Sequence, residues 1–474
     1  MLSDQIRARA GTAANLSSAA PSELARSSNR LAGPVEIDRH TQLGGTSRLD
    51  RLTGLRVFAA LAVVLVHVGY HFTNSNTVDV AEAYGYTGVT FFYLLSGFVL
   101  TWSRPHPRPG RFWWSRFARI WPLTLLWTLF AFTVIAAQER IPGTLGQVAN
   151  VLLLQAWWPK GSWYFGGNGV SWSLSCEMFF YLTFPLLILL VRRLGWRGLG
   201  VTAAGVVAVQ VATPIVAALL GMPGNIYFWL FFIFPPYRLL EFILGMLLAR
   251  AVTLGLTLRW PRATSMAALA AMGGVAFAFT EYTATTGRYL DRPFVALAVI
   301  PGLLLLLLAA ATQDLRQVRS WLRSGILVAL GESSFALYLL HKPLYLFTSR
   351  FGWWDNSGHL LATGRLVLFI GLALATAVAI HFCLERPLDR ALRRLPGPIQ
   401  LCSRLRTSPT HPTMPGTWPH LGVVAAAPAT ALRTRTGRGR FSRRSEGTNG
   451  RSEMRSRPEP PRGRDARPPP GLAG

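Results

Sequence analysis

The chain has 474 residues, of which 51% are apolar and only 15% charged, and this excludes an ordinary set of soluble domains. Its formal charge of +27 comes almost wholly from arginine, since Lys160 and Lys342 are the two lysines. Three cysteines, Cys176, Cys383 and Cys402, have no CxxC spacing, so neither a disulfide framework nor a zinc site is expected.

Residues 1–50 are polar, with scattered Arg and no apolar core of a signal peptide. They are expected to form a disordered cytoplasmic segment, with the first membrane helix acting as the targeting signal. From 55 to 384, apolar blocks recur at lengths of about 17 to 24 residues, against the ~20 helical residues that a bilayer core takes. Alternating segments of ~10 residues, the mark of a membrane β-barrel, are absent. The expected fold is an all-α polytopic membrane protein, a bundle of about ten transmembrane helices with both termini cytoplasmic.

The first span is expected at 55–72, followed by a loop containing Asp79 and Glu82 but no Lys or Arg. A second span at 86–102 leads into SRPHPRPGRFWWSRFAR, where Arg104, Arg108, Arg111, Arg116 and Arg119 occur without one acid. The positive-inside rule assigns that loop to the cytoplasm. After a third span at 120–137, residues 138–171 form a long outer stretch, within which 148–157 is too short to span and reads as interfacial or re-entrant. Further spans are expected at 172–191, 198–220, 227–249, 264–280, 294–311, 325–347 and 365–384. With this assignment the loops facing the cytoplasm hold fourteen Arg, and the outer loops hold six basic residues: Arg140, Lys160, Arg288, Arg292, Arg350 and Arg365. An eleventh helix at 148–157 would invert every later loop. The domain expected over 51–395 is followed by a basic tail, 396–474, with fourteen Arg against four acids. It lacks interleaved aromatics and periodicity, so solvated disorder in the cytoplasm is expected rather than a nucleic-acid site.

Charges inside spans cost about 2.5 to 3.5 kcal/mol each on insertion scales, so each needs a partner or a function. The inventory is His67, Glu177, Arg238, Glu241, Glu332, His341 and Lys342. Arg238 and Glu241 are three apart and read as an intrahelical pair. Glu177 and His341 have no such local partner, and with His67 they are expected to converge on one outward-facing chamber. Between Arg56 and His67 lie ten uncharged residues. Eleven helical steps return His67 to nearly the Arg56 azimuth, roughly 16 Å further along. This pattern makes a track for a long ligand with an anionic head; alternatively, a snorkelling Arg precedes a His satisfied by a neighbouring helix.

Five further blocks share this context: GYTGVTFFYLLSGFVL at 85–100, RFWWSRFARIWPL at 111–123, WSLSCEMFFYLTFPLL at 172–187, GESSFALYLLHKPL at 331–344 and ERPL at 385–388. Together with Arg56 and His67, which match an R-x10-H signature, they resemble the successive blocks of acyltransferase family 3. The resemblance implies a multi-pass enzyme of the bacterial inner or plasma membrane. It would move an acyl group, most often acetyl, from acyl-coenzyme A to a hydroxyl, commonly on a sugar. No cofactor or metal would stay bound; acyl-coenzyme A is the donor substrate. By the same resemblance His67 is the catalytic histidine and Arg56 the cation below it. Arg116 and Arg119 form the R-x-x-R pair, Glu177 is the acid of the W-S-x-x-x-E block, and His341, preceded by Tyr338, belongs to the Y-L-x-H-x-P block. Many relatives carry Val before the acid, where this chain has Cys176, which raises an acyl-cysteine alternative.

The chemistry fits these residue types without the family. A neutral imidazole can take the proton of a hydroxyl as it attacks a thioester, and Arg clusters suit the phosphates of coenzyme A. Trp172, Ser173 or backbone amides are candidate donors to the oxyanion. Acceptors expected are a surface polysaccharide or glycolipid, or a small secreted glycoside: no SGNH-type hydrolase domain follows the last helix, and FFYLLSGFVLTWSRP is similar to members that acylate macrolide-type antibiotics. The alternative functions are a transporter or flippase of an amphiphile, for which no internal repeat is visible, and a receptor-like sensor. The topology has a direct test. In a cysteine-free background, cysteines placed at 79 and 160 are expected to react with an impermeant reagent in intact cells, and cysteines at 108 and 195 are not; labelling at 195 but not at 160 would mean that 148–157 spans.

Overall fold

A computed structural model describes residues 49–69, 77–136, 142–286, 292–352 and 359–395. The expectations for the N-terminal segment up to 48 and for the basic tail lie outside the described residues, as do Arg140 and Arg288. All described secondary structure is helical: α1 Asp50–Gly69, α2 Thr77–Ser103, α3 Pro109–Ala136, α4 Thr144–Val151, α5 Trp172–Val191, α6 Trp196–Leu219, α7 Gly224–Phe228, α8 Pro235–Thr253, α9 Pro261–Thr286, α10 Arg292–Leu315, α11 Gly325–Glu332, α12 Ser334–Ser349, α13 His359–Ile380 and α14 Arg386–Arg394, with a single helical turn at Gly161–Tyr164 and short 3-10 and π turns between them. Among the described residues, eight helical segments are long and apolar enough to cross a membrane. The expected spans at 86–102 and 325–347 fall on α2, whose apolar stretch is Thr87–Ser103, and on the broken pair α11–α12. The chain is an all-α polytopic membrane protein.

Several boundaries differ from the sequence expectation, each for a local reason. The loop holding Asp79 and Glu82 is helical backbone from Thr77, because hydropathy marks only the apolar part of a helix whose first turns contain good helix formers. Likewise α3 begins at Pro109, so Arg111, Arg116 and Arg119 stand on a helix and not in a loop; Pro109 occupies the first helical position, where its missing N–H costs nothing. The single span expected at 227–249 is split at Phe234, whose ψ of 122° is the extended conformation that a following proline imposes on Phe234. A second split falls at Ser333, between α11 and α12. Residues 148–157 form the end of α4, a turn with Leu153 at φ 56°, and the 3-10 turn Gln155–Trp157. At ~1.5 Å per residue an eight-residue helix is far too short to cross.

Two sets of glycines set the closest approaches. A Cβ on Gly97 of α2 would fall on the carbonyl of Phe242, and a Cβ on Gly245 of α8 would fall on the carbonyl of Leu94. The two backbones therefore touch at a reciprocal pair of small residues, the arrangement by which helices in lipid gain dispersion contacts. In the same way α1 is seated by Gly54 against the carbonyl of Leu322, and by Gly331 of α11 against the carbonyl of Thr53. Next to this contact is a buried pair that the charge inventory missed: Asp314 accepts from the Arg51 backbone N–H at 2.9 Å and from its guanidinium at 3.4 Å. Both residues lie at helix ends, outside the apolar windows from which the inventory was drawn.

The expected intrahelical pair is present, with Arg238 2.8 Å from Glu241 and both joined to the Thr90 hydroxyl. The packing generates a stability prediction. Gly245→Val or Gly97→Val is expected to destabilise the solubilised protein by about 1 to 3 kcal/mol or more through overpacking. Gly205→Val, at an exposed position of α6 with open space around it, is the control and should melt as the wild type does.

Candidate active site

A cavity of about 560 Å³ opens among α1, α2, α3, α5 and α12. Arg56, Arg116, Arg119 and Glu177 line it toward one end, and Ser173 and Tyr338 toward the other. The helix geometry explains the grouping. Arg56 and His67 share α1, and eleven residues of rise put His67 roughly 16 Å beyond Arg56. Arg116 and Arg119 are three apart on α3, and Ser173, Glu177 and Tyr181 follow at four-residue intervals along one face of α5.

At the arginine end, Glu177 accepts a hydrogen bond from the Tyr181 hydroxyl at 2.8 Å. Glu177 thus has a local partner four residues on, which sequence reading missed because tyrosine was not counted as a partner for a carboxylate. Of the three residues expected to converge, His67 and His341 come together, whereas Glu177 lines the cavity with the three arginines and neither histidine is among the lining residues. The Arg116 guanidinium lies 5.9 Å from the centroids of both Phe112 and Tyr181, a cation–π geometry. Arg119 is 3.2 Å from Glu385, which is bonded at 2.9 Å to His381, itself 3.9 Å from Glu332. His381 and Glu385 stand four apart in a π turn at the end of α13, and a His and an acid at that spacing inside an apolar block were the available signal. Arg56 and Arg116 each keep a buried Nε with no hydrogen-bond partner.

Tyr338 closes the far end. Its hydroxyl is 2.6 Å from Ser173 Oγ, and both hydroxyls reach the Val170 carbonyl, at 2.9 and 3.0 Å. Each hydroxyl has a single proton, so one donates to the carbonyl and the other to its fellow hydroxyl, and none is left over. The Tyr338 ring packs edge-on against His341, with centroids 6.0 Å apart. Beyond it, His67 and His341 form a pair with ring centroids 5.2 Å apart.

The hydrogen bonds of this pair fix its chemistry. His67 Nδ1 lies 2.9 Å from the carbonyl of Val63, and His341 Nδ1 lies 3.2 Å from that of Leu337. A carbonyl can only accept, so both protons are at Nδ1 and both Nε2 atoms carry a lone pair. The Nε2 of the fully buried His341 has no partner among the described residues.

Two residues nominated for the site lie elsewhere. Trp172 is only 4% exposed and packs on Phe232, outside the cavity lining. Cys176 is fully buried, and its thiol donates to the Ile233 carbonyl at 3.3 Å. It turns away from the cavity, although it precedes Glu177 in sequence.

The family described as an acyltransferase domain matches residues 49–383. Acyltransferase MdmB of Streptomyces mycarofaciens is 37% identical over 375 residues, covering 73% of this chain and 93% of that protein. O-acetyltransferase OatA of Staphylococcus aureus is 24% identical over 335 residues, covering 64% of this chain and 51% of that protein. No solved structure matches. The matched segment runs from the first turn of α1 to the π turn after α13 and so contains every element that lines the cavity and holds the histidine pair: the chain belongs to acyltransferase family 3 and is a membrane O-acyltransferase.

Proposed function

We propose that the protein transfers an acetyl or other short acyl group from acyl-coenzyme A to a hydroxyl of a sugar-containing acceptor, in the bacterial cell membrane, with both termini cytoplasmic. The observation that carries this reading is the polarity of the site along one line: a group of three arginines, two of them with an unbonded Nε, then a cavity, then a closing tyrosine, then two imidazoles with free lone pairs. Arg56 and Arg116, with no carboxylate in contact, suit the phosphates or polar amides of a donor that enters from the cytoplasmic end. Arg119, held by Glu385, adds charge at the same mouth. Glu177 and Tyr181 line the passage and orient the donor. The span of roughly 16 Å from Arg56 to His67 is what an extended pantetheine arm needs to bring its thioester to the histidines.

The chemistry follows from the tautomers. With Nδ1 bonded to Val63, His67 presents Nε2 as the general base. The acceptor hydroxyl attacks the thioester carbonyl while its proton passes to His67. The tetrahedral intermediate then collapses, the C–S bond breaks, and the proton goes on to the leaving thiolate. His341 packs beside His67 with its own lone pair unused, and as a second acceptor it holds the incoming hydroxyl in line. For the acceptor, the similarity of the FFYLLSGFVLTWSRP block to members that acylate macrolide-type antibiotics supports a small glycoside over a cell-wall polymer or glycolipid.

Purified protein given labelled acetyl-coenzyme A and a glycoside acceptor is expected to release free thiol. His67→Ala should lower turnover by roughly 100-fold or more while donor binding barely changes. Arg56→Ala should instead raise the Michaelis constant for the donor, because a cation that holds the donor acts in the bound state as well. Near-wild-type turnover in a well-folded His67→Ala protein would overturn the assignment of the base. Cys176→Val separates the direct mechanism from an acyl-cysteine: it is expected to keep turnover within about threefold, since the hydrogen bonds of the thiol are neutral and worth about 1 kcal/mol each. No acyl adduct on the wild-type protein should be found by intact mass.

A further inference from the structure

Lys342 is one of the chain's two lysines and follows His341 on α12. It is half-buried, and no carboxylate or hydrogen-bond acceptor among the described residues satisfies its ammonium. A lysine in a membrane span with no partner is costly to place there, and such residues mark functional sites by default. Its position is specific. The ammonium lies against Gly169, where an added Cβ would come within 2.7 Å of Nζ. The loop that carries Gly169 is tied to α12, because the Asn168 side chain donates to the Leu339 carbonyl at 2.9 Å. Lys342 thereby stands at the histidine end of the site, within Coulombic reach of both His67 and His341.

The donors that sequence nominated for the oxyanion are spent or absent. The Trp172 indole lies outside the cavity against Phe232, and the Ser173 and Tyr338 protons are consumed between themselves and Val170. An N–H donor with no partner among the described residues is carried instead by the residue that follows His341, whose ring pairs with that of the base. We propose that Lys342 is a further catalytic residue, whose ammonium receives the oxyanion formed on the thioester carbonyl. In this step the acceptor oxygen bonds to the carbonyl carbon, the hydroxyl proton moves to His67 Nε2, and the carbonyl π electrons become a lone pair on oxygen against Lys342. Collapse restores the C=O bond, breaks the C–S bond and returns the proton from His67 to the departing thiolate, so the products are the ester and free coenzyme A. Nothing is oxidised or reduced. The inference rests on the reading of His67 as the base, and the two can fail separately.

The test is steady-state kinetics of the full chain in detergent with acetyl-coenzyme A and a glycoside acceptor, together with a melting curve for each variant. Lys342→Met should lower kcat roughly 100-fold, the usual loss for one oxyanion donor, with the donor KM and the melting temperature unchanged. Lys342→Arg, which keeps the charge in a different shape, should recover part of that loss. A kcat within about threefold of wild type in Lys342→Met overturns the proposal. So does a raised KM with kcat kept, which would make Lys342 a binding cation only. If Lys342→Met is not recovered folded, Lys342→Gln takes its place under the same criteria. An inactive His67→Ala beside an active Lys342→Met sinks this inference alone, whereas an active His67→Ala sinks the base assignment.

Discussion

The position of α1 along its own axis is the constraint on which the site depends. Arg56 and His67 sit on one unbroken helix, so their separation is fixed by helical rise, and where both stand is decided by how α1 is seated. The seat is built at its first turn. Asp314 takes the backbone N–H of Arg51 and its guanidinium together, Arg51 also donates to the Val318 carbonyl, and Gly54 and Gly331 allow the neighbouring backbone to press against α1 on either side of Thr53. A buried pair of this kind contributes little net stability, because desolvation offsets most of the attraction. What it does supply is register: a slip of α1 by one residue would take Arg51 away from Asp314 and leave that carboxylate only the more distant Arg323, at 3.9 Å, so one register is favoured.

The arginines gather at one end of the site and the paired imidazoles stand at the other, and magnitude shows why this separation matters. Two unit charges 4 Å apart interact by about 4 kcal/mol at an effective dielectric constant of 20, and by about 1 kcal/mol at 16 Å. On that scale each arginine acts about four times more strongly on an anion held against it than on His67. Tyr338 stands between the two regions. Its hydroxyl is locked to Ser173 and Val170, and its ring is free to pack on His341, so one residue both ends the cavity and fixes the histidine pair.

Much of this was legible in the sequence, and the parts that were not share a cause. Hydropathy found the apolar segments because a bilayer imposes length and composition on each span by itself. The i, i+3 pairing of Arg238 with Glu241 was readable for the same reason, being local to one helix. Contacts between helices distant in sequence were not: Arg51 with Asp314, Arg119 with Glu385, and the placement of Glu177 on the arginine side of Tyr338 all depend on which helices are neighbours. Trp172 is the clearest case. Its block placed it one residue from Ser173, but adjacent residues on a helix point about 100° apart, and only one of the two faces the cavity.

The same reasoning accounts for the departure at Cys176. Pro235 and Pro236 break the helix at Phe234, and the backbone N–H of Tyr237 then bonds to Phe234 instead of to Ile233. The carbonyl of Ile233 is left without its helical partner in a fully buried setting, where an unmet polar group costs about 1 to 3 kcal/mol. The Cys176 thiol donates to that carbonyl from α5. At the other break, between α11 and α12, the Ser333 backbone N–H itself reaches the Ala329 and Gly331 carbonyls, and the hydroxyls of Ser333 and Ser334 only add to those bonds. The cysteine next to Glu177 is therefore explained by the backbone it satisfies, with no role in the chemistry required of it.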